Sequence, residues 1–151
     1  MNVRKEVYKI ISDKLTTLDT YNTIDLWKAQ VNSSEKDPVS YPAAFVAIEA
    51  IKWEDLTLNI QQGDLTVNLY LFYNRYGDTF SNAVDKEDSL QILDNMQQTI
   101  DAIQWLHKNE LFTELSLKKE QDLTERYKRP AFVLTFTAEC YNQLKHPNYV
   151  Y

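Results

Sequence analysis

The sequence predicts an α+β fold: a mainly antiparallel sheet of about four to five strands with two helices packed on it, in the order α-β-β-α-β-β. Three observations lead there. Apolar residues recur at three- and four-residue steps near the start and again past the middle of the chain, the spacing of amphipathic helices. Leu65, Val67, Leu69, Leu71 and Tyr73 alternate with Thr66, Asn68, Tyr70 and Phe72, the two-residue period of a strand. Two similar segments, Tyr41-Pro42-Ala43-Ala44-Phe45-Val46 and Arg129-Pro130-Ala131-Phe132-Val133, each open an extended apolar run. Proline has no N–H and is tolerated at the first residue of a strand, so both prolines mark strand starts.

The elements follow in order. Val3, Val7, Ile10, Ile11, Leu15 and Leu18 form one stripe, so a helix spans about Asn2 to Leu18. Thr23 to Ala29 reads as a short strand, and Asn32 to Ser40, with Pro38, as a loop. The first long strand runs from Pro42 to about Trp53. Val46, Ile48 and Ala50 face one way and Phe45, Ala47 and Ile51 the other, so the strand is apolar on both faces, as a central strand is. Asp55-Leu56-Thr57-Leu58-Asn59-Ile60 echoes Asp64-Leu65-Thr66-Val67-Asn68-Leu69. Either the hairpin is long or its tip carries apolar residues with little core to cover, and a projecting apolar hairpin calls for a partner.

Arg75 to Ala83, with Gly77, is a loop, after which Asp85 is placed to cap a helix whose first turn holds Asp88. That helix runs to about Leu106, with Leu90, Leu93, Met96, Ile100 and Ile103 inward and Asp94, Gln98 and Asp101 outward. A short strand near Phe112 to Leu117, a charged hairpin region from Lys118 to Arg129 and a last strand from Ala131 to Tyr141 complete the order. Residues 1–144 make one domain, and 145–151, with His146, Pro147, Tyr149 and Tyr151, show no periodicity and form an arm.

Composition narrows the function. At 151 residues the chain is large enough to bury a core without disulfides or metal, and no apolar run approaches the ~20 residues of a membrane helix. The first residues lack the apolar core of a secretory signal, so no export is expected. The lone Cys140, in the last strand pattern, reads as a small buried hydrophobe. Asn32-Ser33-Ser34 is formally a glycosylation sequon and reads as a polar loop. A net charge of −6 argues against a protein that grips nucleic-acid phosphates. Acids gather at Asp85, Glu87, Asp88, Asp94 and Asp101, and bases at Lys118, Lys119, Arg126, Lys128 and Arg129. Opposite patches on one small domain suit self-association, while solvated faces without a partner have the same composition.

Catalytic chemistry finds little support. Two glycines, Gly63 and Gly77, are too few for a phosphate-cradling loop. His107 and His146 have no acid or cysteine at metal-ligand spacing, no serine lies on a glycine-flanked elbow, and the pairs Glu54-Asp55 and Glu87-Asp88 fit solvation and capping. No catalytic residue, metal or cofactor is therefore expected. Tyr70, Phe72, Tyr73 and Tyr76 gather at one strand end, and Tyr141, Tyr149 and Tyr151 near the C-terminus. Tyrosine suits an interface, and a core edge accounts for these clusters equally well.

One resemblance runs through this order of residues: a helix, Tyr41 to Glu49 as first long strand, a variable hairpin, Val67-Asn68-Leu69-Tyr70-Leu71-Phe72-Tyr73 as second, a helix, and the closing Phe132-Val133-Leu134-Thr135-Phe136. It resembles the tail terminator, or tail completion, proteins of long-tailed bacteriophages and prophage-derived particles, over roughly Val3 to Tyr141. The resemblance is one of pattern, without an invariant motif. It implies a non-catalytic homo-oligomeric ring, typically a hexamer, that caps the tail tube protein, stops its polymerisation and meets the head or neck connector. It also implies a place in the virion, with assembly in the host cytoplasm, and neither membrane nor sequence-specific nucleic-acid binding. A ring needs complementary patches on one subunit. The candidates are Trp53, Leu56, Leu58 and Ile60 on the hairpin, Asp94 and Asp101 on the acidic helix, Arg126, Lys128 and Arg129 on the basic segment, and Tyr149 and Tyr151 on the arm. A neck or head-completion adaptor, a small α+β binding module and a hydrolase with an unrecognised site stay open.

Overall fold

The computed structural model describes residues 2–32, 38–74 and 82–144, with backbone alone for 82–87. The arm at 145–151, with Tyr149 and Tyr151, lies outside the described residues, as do Tyr76 and Gly77. The elements are α1 (Val3–Thr17), β1 (Thr23–Leu26), β2 (Ala43–Ile48), β3 (Trp53–Asp55), β4 (Ile60–Phe72), α2 (Asn82–Ile103), β5 (Ser116–Asp122), α3 (Thr124–Tyr127) and β6 (Ala131–Gln143). The fold is α+β, as the sequence predicts. Its sheet has six strands in the order β1-β2-β4-β6-β5, with β3 also beside β4. Strand number, helix number and order therefore differ from expectation, and the sheet is mixed because β1 runs parallel to β2.

The centre is a ladder of β4 and β6, each thirteen residues long and antiparallel from Ile60↔Gln143 to Phe72↔Ala131. Pro42 and Pro130 each sit one residue before their strand, and Ala43 and Ala131 both face Phe72 of β4 from either side. The two similar segments thus flank one end of the central strand. They differ by one inserted residue, Ala44, and in a pleated strand that sends the following phenylalanine to the opposite face. Phe45 packs with Phe72 on one side of the sheet, whereas Phe132 meets Tyr73 on the other.

The predicted strand from Pro42 to Trp53 divides into β2 and β3, because the register against β4 moves by one residue between Ile48↔Val67 and Trp53↔Gly63. The shift brings Ile51 and Trp53 inward where strict alternation would have brought Ala50 and Lys52. Downstream, β5 lies later than Phe112 to Leu117. Lys118 and Lys119 stand on the strand itself, as suits a charged sheet edge, and the rest of the expected charged hairpin holds α3.

Two layers of core result. On one face Val7, Ile11 and Leu15 of α1 and Ile100 and Ile103 of α2 share a core with Val46 of β2, Leu65, Val67 and Leu69 of β4, and Leu134 and Phe136 of β6. The α2 stripe is rotated from the predicted one. Ile92, Met96, Thr99, Ile100 and Ile103 turn inward, whereas Leu90 and Leu93 are 53% and 45% exposed. Thr99 takes an inward place because its hydroxyl is satisfied by the Tyr21 hydroxyl at 2.6 Å and the Asn95 carbonyl at 2.9 Å. The helix also starts at Asn82, so Asp85 lies inside it and is not its cap. On the opposite face Trp27, Phe45, Tyr70, Phe72 and Tyr127 form an aromatic layer, with Trp27 stacked on Tyr70 at 4.6 Å. Tyr70, Phe72 and Tyr73 are thereby taken up in the two cores.

Candidate assembly interface

The hairpin is built from β3 and the first half of β4. Its base is locked because Trp53 and Ile51 lie directly on Gly63: a Cβ there would stand 2.6 Å from Ile51 Cγ2 and 2.9 Å from Trp53 Cε3. Glycine is required at this position by close approach. At the tip, the N–H groups of Leu56 and Thr57 donate to the Ile60 carbonyl, and the Leu144 N–H donates to the Asn59 carbonyl at 2.8 Å. Backbone groups are thus satisfied while Leu56 and Leu58 remain 54% and 60% exposed. Trp53 and Ile60 are both half-buried, Trp53 in the base and Ile60 at the tip, where its carbonyl closes the turn. Glu54 and Asp55, both exposed, put two acids beside the two leucines.

A groove of about 530 Å³ opens between the start of α1 and the ends of β1 and β2. Arg4 closes one end by donating to the carbonyls of Ile48 at 2.8 Å and Glu49 at 2.9 Å. Tyr8, Leu26, Ala47 and Ile48 supply apolar lining, and Lys5 and Lys28 add positive charge. Burial pushes the Tyr8 phenol above its ordinary value, with the Asp25 carboxylate acting in the same direction. Lys28 reaches Asp25 at 3.6 Å in an exposed pair.

The charged candidates lie on both faces of the sheet. Asp94 and Asp101 are exposed on α2, and Gln97 Nε2 donates to Asp101 at 2.9 Å. Arg126 is exposed on α3, 5.3 Å from the Tyr127 ring centroid, and Lys128 is exposed just after it. Arg129 departs from expectation. It is 6% exposed, its guanidinium lies 3.6 Å from the Tyr41 ring centroid, Nη1 donates to the Tyr73 carbonyl at 3.5 Å, and Nε has no hydrogen-bond partner among the described residues. The aromatic shelter removes Arg129 from any surface patch.

Other reactive groups have structural surroundings. Cys140 is buried, its thiol is within 3.5 Å of the Gly63 carbonyl, and burial pushes its pKa up to about 11. The Tyr73, Tyr21 and Thr99 hydroxyls form a chain from the sheet to α2, and burial raises the Tyr73 phenol well above its ordinary value. Among the described residues no group of three or more His, Cys, Asp or Glu side chains could hold a metal ion, and no helix is long and apolar enough to cross a membrane. Sequence reasoning misses the groove and the aromatic layer. Their signal is Trp27 just after the short first strand, together with Tyr70 and Phe72 where the alternation of β4 calls for polar residues. Neither a protein-family model nor a curated protein matches the chain.

Proposed function

We propose that this chain is a structural subunit of a tail terminator-like ring that caps a phage-type tail tube and joins it to the head or neck. The observation that carries the reading is the β3–β4 hairpin, whose rigid base presents Leu56 and Leu58 to solvent. Apolar side chains held out on a fixed support are characteristic of an interaction site. Two further features support it. The segments that resemble the terminator pattern are α1, β2, the β3–β4 hairpin, α2 and β6. The exposed acids Asp94 and Asp101 and the exposed base Arg126 belong to helices packed on opposite faces of the sheet, the disposition a head-to-tail contact uses.

In this reading the chain acts by assembly alone. A closed head-to-tail contact makes a ring, and for the hexamer that the resemblance implies, light scattering on the purified chain should give about six times the single-chain mass of 17.8 kDa. Added to a polymerising tail tube protein, the ring should arrest growth at one end, as seen by electron microscopy. A chain that stays monomeric and leaves tube growth unchanged overturns the reading.

A further inference from the structure

We infer that the contact between neighbouring subunits is made by the β3–β4 hairpin of one copy seated in the α1/β1 groove of the next, an inference that rests on the ring reading above. The two surfaces match in chemistry. The tip offers Leu56 and Leu58 flanked by Glu54 and Asp55, and the groove offers Tyr8, Leu26, Ala47 and Ile48 flanked by Arg4, Lys5 and Lys28. Charges on both surfaces have partners within the chain: Asp25 accepts from the Leu26 N–H and pairs with Lys28, Glu49 accepts from Asn68, and Asp55 accepts from Gln61, so seating the tip exchanges the exposed Asp25–Lys28 pair for one across the interface. The groove volume of about 530 Å³ falls within the ~300–1,000 Å³ of clefts that enclose a ligand group.

A second copy is the occupant because the tip cannot fold back onto its own groove. Trp53 is wedged on Gly63, β3 is paired to β4, and the tip is tied to the end of β6 through Asn59 and Leu144. Hairpin and groove are different surfaces, so the contact is heterologous and each end of a growing arc keeps one of the two free until the ring closes.

Charge exchange tests this contact. Glu54→Lys with Asp55→Lys, and separately Lys5→Glu with Lys28→Glu, should each weaken association roughly tenfold or more, because like charges across an interface are strongly unfavourable. All four substitutions in one chain should restore the ring mass. Circular dichroism melting of each variant verifies that it is folded. A ring that survives either reversal, or that the combined chain fails to restore, overturns the contact while leaving the ring itself intact. A natural chain that is monomeric overturns the ring reading and this inference with it. A second measurement does not depend on the reversals: chains carrying Leu58→Cys and Leu26→Cys should form an intermolecular disulfide on mixing. No cross-link on mixing, or a Leu58→Cys chain that links chiefly to itself, overturns the proposed seat.

Discussion

Arg129 carries a charge where little water reaches it. Its guanidinium rests on Tyr41 and meets one carbonyl, with no carboxylate partner among the described residues. Guanidinium is weakly hydrated and stacks well on an aromatic face, which makes arginine tolerable here where lysine would not be. Arg129→Glu should place a carboxylate against the Tyr41 ring and destabilise the fold by about 3–5 kcal/mol, the range for an uncompensated buried charge. The melting temperature should fall by about 10 °C. Arg126→Glu, three residues away and exposed, should leave it within a few degrees, and equal effects at the two sites would contradict the burial. A count of charges along the chain cannot separate these neighbours, because burial is decided by Tyr41, 88 residues earlier in sequence. Cys140 was legible, since it falls on an inward position of an alternating apolar run. Its thiol should resist alkylation at neutral pH and react at the rate of unfolding. The sign of its pH effect follows from a folded pKa of about 11 against an ordinary 9.0. The fold binds the proton more tightly, so this contribution to stability is present below pH 9.0 and is lost as pH rises towards about 11. Urea titrations across that window check it, with Cys140→Ala showing a smaller loss.

Elements whose apolar residues repeat over several turns or pleats were readable, whereas short ones were readable only in part. Helix α1 and strands β4 and β6 bury the residues their periods indicate. Strand β1 is legible as a short strand over Thr23 to Ala29 and spans Thr23–Leu26, but its parallel register is set by β2, and no local signal announces that pairing. Helix α3 is a single turn, and β5 has its charges on an open edge, where solvent removes the alternation that would mark it. Helix α2 was legible as an element but not in its inward face, because an inward Thr99 is invisible to a hydrophobic count. Truncation distinguishes the two faces. Ile103→Ala should destabilise by about 2–5 kcal/mol and Leu93→Ala by no more than about 0.5 kcal/mol, measured by urea unfolding. Gly63→Ala tests the wedge beneath the hairpin. Its methyl group would overlap Ile51 and Trp53, so a loss of about 1–3 kcal/mol is expected, with a displaced Trp53 indole resonance in the NMR spectrum. An unchanged resonance would show that the wedge is not tight.

At the scale of the whole molecule, the two tip leucines are only a small part of the ~800 Å² per partner that a stable interface buries. In the proposed ring the remainder would come from broader surfaces, and the two faces of the sheet offer them. Helix α2 presents Asp94 and Asp101, with Leu90 and Leu93 also exposed on it, the same pairing of acid and apolar groups found at the hairpin. On the other face α3 presents Arg126, with Lys128 following it. Composition made these patches readable as charge, but only the packing of α2 and α3 on opposite faces would let successive subunits of the proposed ring use them. Arg126→Glu should therefore lower the oligomer mass in light scattering without unfolding the chain, and Asp94→Lys with Asp101→Lys should do the same. Because exposed charges are screened over ~10 Å at 0.1 M salt, the natural ring should also loosen as salt is raised. The residual association at high salt should then depend on Leu56 and Leu58, and Leu56→Ser with Leu58→Ser should abolish it. A ring mass indifferent to these charge reversals would leave the α2 and α3 faces solvated, and one indifferent to salt as well would contradict the charge match between hairpin and groove.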